Sequence, residues 1–168
     1  MAGVTGRLNR STGLWAKPLL ERLIQHEVAR ALRYSAPLTL VRVAIYAPER
    51  SDETALKTLN AMVANILNTH LRAVDMPGHY DGDYLIVLPN TDEAGAHIVA
   101  ARLAHTVSVL QMPAGFELQP AVCIGLASLP GGAVAEPSAL IAQTAVALDE
   151  ARRRGAHAVV AVSQLNRS

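Results

Sequence analysis

Apolar and polar positions alternate along this chain with two periods, near 3.6 and near 2, those of an amphipathic helix and of a strand. From Pro18 to about Tyr34, Leu19, Leu20, Leu23, Ile24, Val28, Ala31 and Leu32 recur at helical spacing. Proline is acceptable in the first turn, where its missing N–H has no intrahelical partner to lose. Pro37 to Tyr46, with Leu38, Leu40, Val41, Val43 and Ile45, reads as a first core strand. A second helix begins near Thr54, capped by Ser51 or Asp52 and acidic in its first turn. Leu56, Leu59, Met62, Val63, Ile66 and Leu67 give it a buried stripe up to about Leu71.

The most informative stretch runs from Arg72 to Pro89. Tyr84-Leu-Ile-Val-Leu88 is a continuous apolar run of strand length, bounded by Asp-Gly-Asp and Pro-Asn, which suits a strand buried on both faces. Asp81-Gly82 just before it is a two-residue hairpin signal, because Asp and Gly both tolerate the positive φ of primed turns. A β-hairpin with polar groups at its tip is predicted here.

Thr91-Asp-Glu-Ala then suggests another helix start, and Ile98, Val99, Ala101, Leu103, Ala104 and Val107 supply its packing face. After a loop containing Pro113 and Gly115, Glu117 to Ala127 reads as a strand, closed by Pro130-Gly-Gly132. The last long helix spans about Pro137 to Arg154. Gly155 is placed to end it, and Arg152-Arg-Arg154 complement its C-terminal dipole. Ala158 to Val162 is a final strand, and Ser163 to Ser168 a polar tail. Helix, strand, helix, hairpin, helix, strand, helix, strand implies an α/β (α+β) domain, a ferredoxin-like mixed sheet of about five strands covered by helices. The expected organisation is a flexible lead over 1–11, one domain over 12–163 and a tail over 164–168.

Composition narrows this picture. At 168 residues, about half hydrophobic, the chain suits one domain with one core and argues against disorder over most of its length. A formal net charge of +1 speaks against a general nucleic-acid or membrane binder, and no apolar run reaches the roughly 20 residues that span a bilayer. The lone Cys123 excludes an internal disulfide and fits a reducing cytoplasm, where it reads as a small buried hydrophobe. The six histidines lack metal-ligand spacing, and neither a phosphate loop nor a Ser/His/Asp arrangement is present.

Arg72-x-x-Asp75, Pro77, Tyr80 and the strand Tyr84 to Leu88 ending at Pro89 follow the order of the signature hairpin of the GGDEF, or diguanylate cyclase, family, which this stretch resembles. Thr12-Gly-Leu14 is similar to the family's Thr-Gly-Leu opening, although Ala16 and Lys17 replace Asn-Arg; aligning Thr5 to Arg10 instead keeps Asn-Arg but lengthens the interval to Pro37. Cys123-Ile-Gly-Leu-Ala127 resembles the family's Ser-Ile-Gly-Ile-Ala strand, and Ala147 to Arg152 its last helix. The turn departs: Tyr80-Asp81-Gly82-Asp83-Tyr84 is one residue short, without the paired glycines or the glutamate. The first strand departs too, because Val43-Ala-Ile-Tyr46 stands where the family carries its metal-binding aspartate. The segment after it, Ala47 to Glu53, is several residues shorter than the family's GTP-lining stretch.

The resemblance therefore implies a domain with no catalytic residues, no metal and no cofactor. It implies equally that Arg72 and Asp75 match an inhibitory site that binds cyclic di-GMP. A guanidinium fork suits guanine O6 and N7, and a carboxylate can accept from guanine N–H groups. The same pair also reads as an exposed ion pair, and Asp81 and Asp83 as turn residues. The expected function is a catalytically inactive, cytoplasmic cyclic di-GMP receptor; the alternatives are a ligand-free protein-interaction or homodimerisation module and a working cyclase.

Overall fold

The computed structural model describes residues 8–48, 51–129 and 136–165. In chain order the elements are α1 (Lys17–Tyr34), β1 (Leu38–Ile45), α2 (Glu53–His70), β2 (Met76–Tyr80), β3 (Asp83–Pro89), α3 (Glu93–Ser108), β4 (Val122–Leu129), α4 (Pro137–Arg154), β5 (Val159–Ala161) and a short α5 (Val162–Leu165). The predicted alternation is present, and the five strands form one sheet in the order β2-β3-β1-β4-β5. All neighbours are antiparallel except β4 and β5. Central β1 sets Leu40 between Val87 of β3 and Ala127 of β4.

Alternation along the strands divides the core into two layers. Val41, Val43, Tyr84, Ile86, Leu88, Ile124 and Leu126 face α2 and α3, packing on Leu59, Val63, Leu67, Ala100 and Leu103. Leu38, Leu40, Leu85, Val87 and Ala127 face the other way, onto Leu20, Ile24 and Val28 of α1. Ala44 and Cys123 meet Ala147, Leu148 and Ala151 of α4 on that side. The caps follow the sequence: Asp52 Oδ1 accepts from Thr54 N at 3.0 Å, and Asp92 Oδ1 from Gly95 N at 2.8 Å. Among the described residues no helix is long and apolar enough to cross a membrane.

Three boundaries differ from expectation. β4 starts at Val122, not Glu117, because its partner β1 ends opposite it at Ile45 and Pro120 has no N–H to donate. β5 stops at Ala161, whose N–H is taken by Gln164 Oε1 at 2.9 Å, so the expected tail begins as the helical turn of α5. Of the expected polar lead, Leu8 to Ser11 form part of a turn in which Gly13 N donates to Asn9 O at 2.6 Å and Asn9 N to Leu14 O at 2.7 Å. Residues 1–7, Glu49-Arg50, the strand-closing Pro130-Gly-Gly132 and residues 166–168 lie outside the described residues.

Candidate ligand-binding site

Helix α2 ends at His70, and Leu71 to Asp75 turn the chain into β2. This turn places Arg72 and Asp75 face to face. The Asp75 carboxylate accepts from Arg72 N at 2.9 Å, from Arg72 Nε at 3.2 Å and from Arg72 Nη2 at 2.8 Å, and Asp75 N donates to Arg72 O at 3.0 Å. Nη2 also donates to Pro89 O at 3.0 Å and to Thr91 Oγ1 at 2.8 Å, tying the turn to the end of β3.

Burial is unequal across the pair: the Asp75 side chain is 1% exposed and that of Arg72 52%. The carboxylate is thus a buried anchor that holds one edge of the guanidinium. Its hydrogen bonds favour the charged form and raise the Arg72 pKa, against an opposing contribution from burial. Nη1 has no protein partner among the described residues. Outside the clasp lies a cavity of about 380 Å³, lined by Arg72, Asn90, Thr91, Gly95, Val99 and Arg102 among others. Arg102, on α3, reaches back to His70 O at 3.3 Å. No spacing in the sequence joins Arg102 to Arg72; only the packing of α3 beside the end of α2 brings the two guanidinium groups to one hollow.

At the far end of the sheet, Asp81 and Gly82 both have positive φ, 48° and 84°, as the predicted primed turn requires. Asp83 is held between two arginines. Arg42 Nε on β1 lies 3.2 Å from Asp83 Oδ2, and Arg152 Nη2 on α4 lies 3.3 Å from Oδ1. Tyr80 receives the Arg42 guanidinium at 4.9 Å and the Lys17 ammonium at 4.8 Å from its ring centre, while Lys17 pairs with Asp81 at 2.6 Å. Tyr84 turns inward: its hydroxyl donates to Asn60 Oδ1 at 2.8 Å, and burial pushes its pKa up to about 12.

The family model for the GGDEF domain, described as diguanylate cyclase, matches residues 56–158, more than half of the chain. The chain belongs to the GGDEF family. No curated protein matches it. Several solved GGDEF domains share its fold. That of FimX from Pseudomonas aeruginosa has 16% identity and a TM-score of 0.79, over 92% of this chain and 98% of that one. That of DgcB from Caulobacter crescentus, in complex with c-di-GMP, has 15% identity and a TM-score of 0.79, over 93% of each chain. A TpbB (YfiN) from P. aeruginosa reduced to its GGDEF domain has 17% identity and a TM-score of 0.80, over 96% and 99%. At such identities the likeness is one of fold.

Within the GGDEF fold, the residues at this chain's hairpin do not fit a divalent cation. Hard cations need several oxygen ligands at about 2 Å, and a cation set against Asp83 would face the guanidinium groups of Arg42 and Arg152. Ala44, in the segment where the family carries its metal-binding aspartate, is buried against Cys123 and α4. Among the described residues no three His, Cys, Asp or Glu side chains converge.

Proposed function

We propose that this GGDEF domain is a non-catalytic receptor for cyclic di-GMP, with Arg72 as its principal contact and Arg102 as a second. The observation that carries this reading is the half-exposed Arg72 fork, fixed from behind by a buried carboxylate and opening onto a hollow shared with another arginine. A preorganised guanidinium loses little freedom on binding. Nη1 offers its N–H groups to guanine O6 and N7, and Arg102 suits a phosphate. Asp75, its oxygens already engaged by Arg72, serves as a positioning residue. A DgcB domain of the same fold has been solved in complex with c-di-GMP, which supports the ligand class.

The absence of catalysis rests on the hairpin. Phosphoryl transfer depends on metal ions that neutralise developing charge, and Asp83 is already neutralised by two arginines. Isothermal titration of the purified protein with cyclic di-GMP, and in parallel with GTP and magnesium, tests both parts. Saturable binding of the cyclic dinucleotide alone is expected. Arg102→Ala and Arg72→Lys should each weaken it about tenfold or more, the worth of one lost bidentate contact. No binding by the folded protein would overturn the receptor reading, and conversion of GTP to cyclic di-GMP would overturn the non-catalytic one.

One observation favours a second reading, a protein-interaction or homodimerisation module. Val74 and Ile98 are 57% and 69% exposed, near Arg72 and Arg102 in sequence and on the same turn and helix. Light scattering over a concentration series checks it; a strictly monomeric protein counts against self-association.

A further inference from the structure

The clasp has a second side. Residues 8–16 fold over the free edge of β2 as a strap: Leu8 bridges Trp15, and Trp15 runs parallel to β2 at Gly78. Trp15 N donates to Pro77 O at 3.1 Å, and His79 N to Trp15 O at 2.9 Å. The approach is so close that a Cβ on Gly78 would stand 2.8 Å from Trp15 O and 2.8 Å from Leu20 Cδ2. Leu14 is fully buried in the core beside α2. Thr12 adds two latches, one between Oγ1 and His79 Nε2 at 2.6 Å and one from Asn68 Nδ2 to Thr12 O.

Between strap and clasp lies a cavity of about 280 Å³, whose walls include Leu8, Gly13, Trp15, Leu71, Arg72 and Asp75. Arg72 and Asp75 thus border both this inner cavity and the outer hollow. Asp75 stands two residues before Pro77, whose carbonyl receives the strap. If the strap leaves, the inner cavity loses the wall formed by Leu8, Gly13 and Trp15, the edge of β2 opens, and the backbone that sets Asp75 under Arg72 loses its lateral support.

We propose that the Arg72–Asp75 clasp and the residue 8–16 strap are one coupled unit, so that a guanine-bearing ligand on Arg72 locks the strap onto β2. This rests on the receptor reading for its ligand and on geometry alone for its coupling. A ligand shifts only an equilibrium whose two states it binds unequally. Here the strap-docked state holds the fork in place and the undocked state does not. Coupling of this kind is reciprocal, with a usual size of 5–150-fold.

The test has one arm with ligand and one without. Calorimetry with cyclic di-GMP compares the wild-type protein with Thr12→Val/Asn68→Ala, which loosens the strap and leaves Arg72 and Arg102 in place. About tenfold weaker binding in the variant is expected. Unchanged affinity would overturn the coupling while leaving the receptor reading intact. The second arm uses the free protein: amide exchange at Trp15 and His79 in wild type and in Arg72→Ala, with Ile124 and Leu126 of β4 as reporters of global opening. Faster exchange at Trp15 and His79 beyond that at β4 supports the coupling even if no dinucleotide binds. Equal acceleration at all four amides, or none, overturns it.

Discussion

Arg72 and Asp75 form an ion pair whose two halves differ in burial, and that asymmetry sets a prediction about stability. Arg72→Ala removes the Nε and Nη2 donors and leaves a carboxylate that is 1% exposed with, among the described residues, only the backbone N–H of position 72 as partner. Breaking a fully buried pair by removing one member costs about 3–5 kcal/mol, because the other charge stays behind unpaired. The guanidinium is half exposed, so water entering the vacated volume recovers part of this, and about 2–3 kcal/mol remains. Asp75→Ala takes the buried charge away. The guanidinium it strands keeps Pro89 O, Thr91 Oγ1 and solvent, so about 1 kcal/mol is expected.

Urea denaturation followed by far-ultraviolet circular dichroism measures both, provided the slope with urea is unchanged between variants. Arg72→Ala should lose more than Asp75→Ala by about 1–2 kcal/mol, and the double variant should resemble Asp75→Ala, because the charge that made Arg72→Ala costly is gone. Equal costs, or a larger cost for Asp75→Ala, would refute the placement of Asp75 as a buried anchor. The same result would return the pair to an ordinary surface ion pair.

Other outcomes follow from the same geometry. Arg42→Ala should cost about 2–4 kcal/mol and Arg152→Ala less than about 1 kcal/mol, since their side chains are 9% and 46% exposed; equal thermal midpoints for the two would contradict the cluster. Gly125→Ala should destabilise by about 1–3 kcal/mol or more, because a Cβ there stands 2.4 Å from Leu148 N and 2.6 Å from Thr144 O, both backbone atoms of α4; a wild-type denaturation curve would show that α4 is not seated this close. Burial lowers the His79 pKa from 6.5. The unfolded chain therefore takes up the proton first, and stability should fall as pH drops from about 6.5 through the lowered folded value, with no contribution above that window. His79→Gln should flatten that slope in pH-dependent denaturation, and an unchanged slope would assign it to other groups.

The sequence made most of the fold legible because the chain is locally consistent: period, caps and turn residues agree element by element. Asp81-Gly82 specified its own turn through φ, Asp52 its own cap, and the apolar run Tyr84 to Leu88 its own central burial. What it hid were relations across the fold. Arg42 is one charged position in a run of strand apolars, and its alternation in β1 points it to the α1 and α4 side, where Asp83 and Arg152 meet it. Arg102 is a candidate to complete the site from sequence, but only the packing of α3 beside the end of α2 brings it to the same hollow as Arg72. Trp15 lies in no predicted strand, yet it bridges β2 at Gly78.

These hidden relations bear on what the hairpin does in this chain. A loop that must admit a metal and a triphosphate needs unengaged carboxylates and room to move. Here the tip is drawn to three elements at once: Lys17 of α1 holds Asp81, Arg42 of β1 holds Asp83 and stacks on Tyr80, and Arg152 of α4 closes on Asp83 from the other side. The Lys17 and Arg152 pairs are partly exposed and worth little alone, while the Arg42–Asp83 pair is nearly buried; together they fix both ends of a two-residue turn against α1, β1 and α4. The opposite end of the sheet keeps an arginine fork half open to solvent, with a hollow of about 380 Å³ before it. Carboxylates are paired with cations inside the fold at the hairpin end, and a guanidinium is displayed to solvent at the other, a distribution that favours the proposed receptor over phosphoryl transfer.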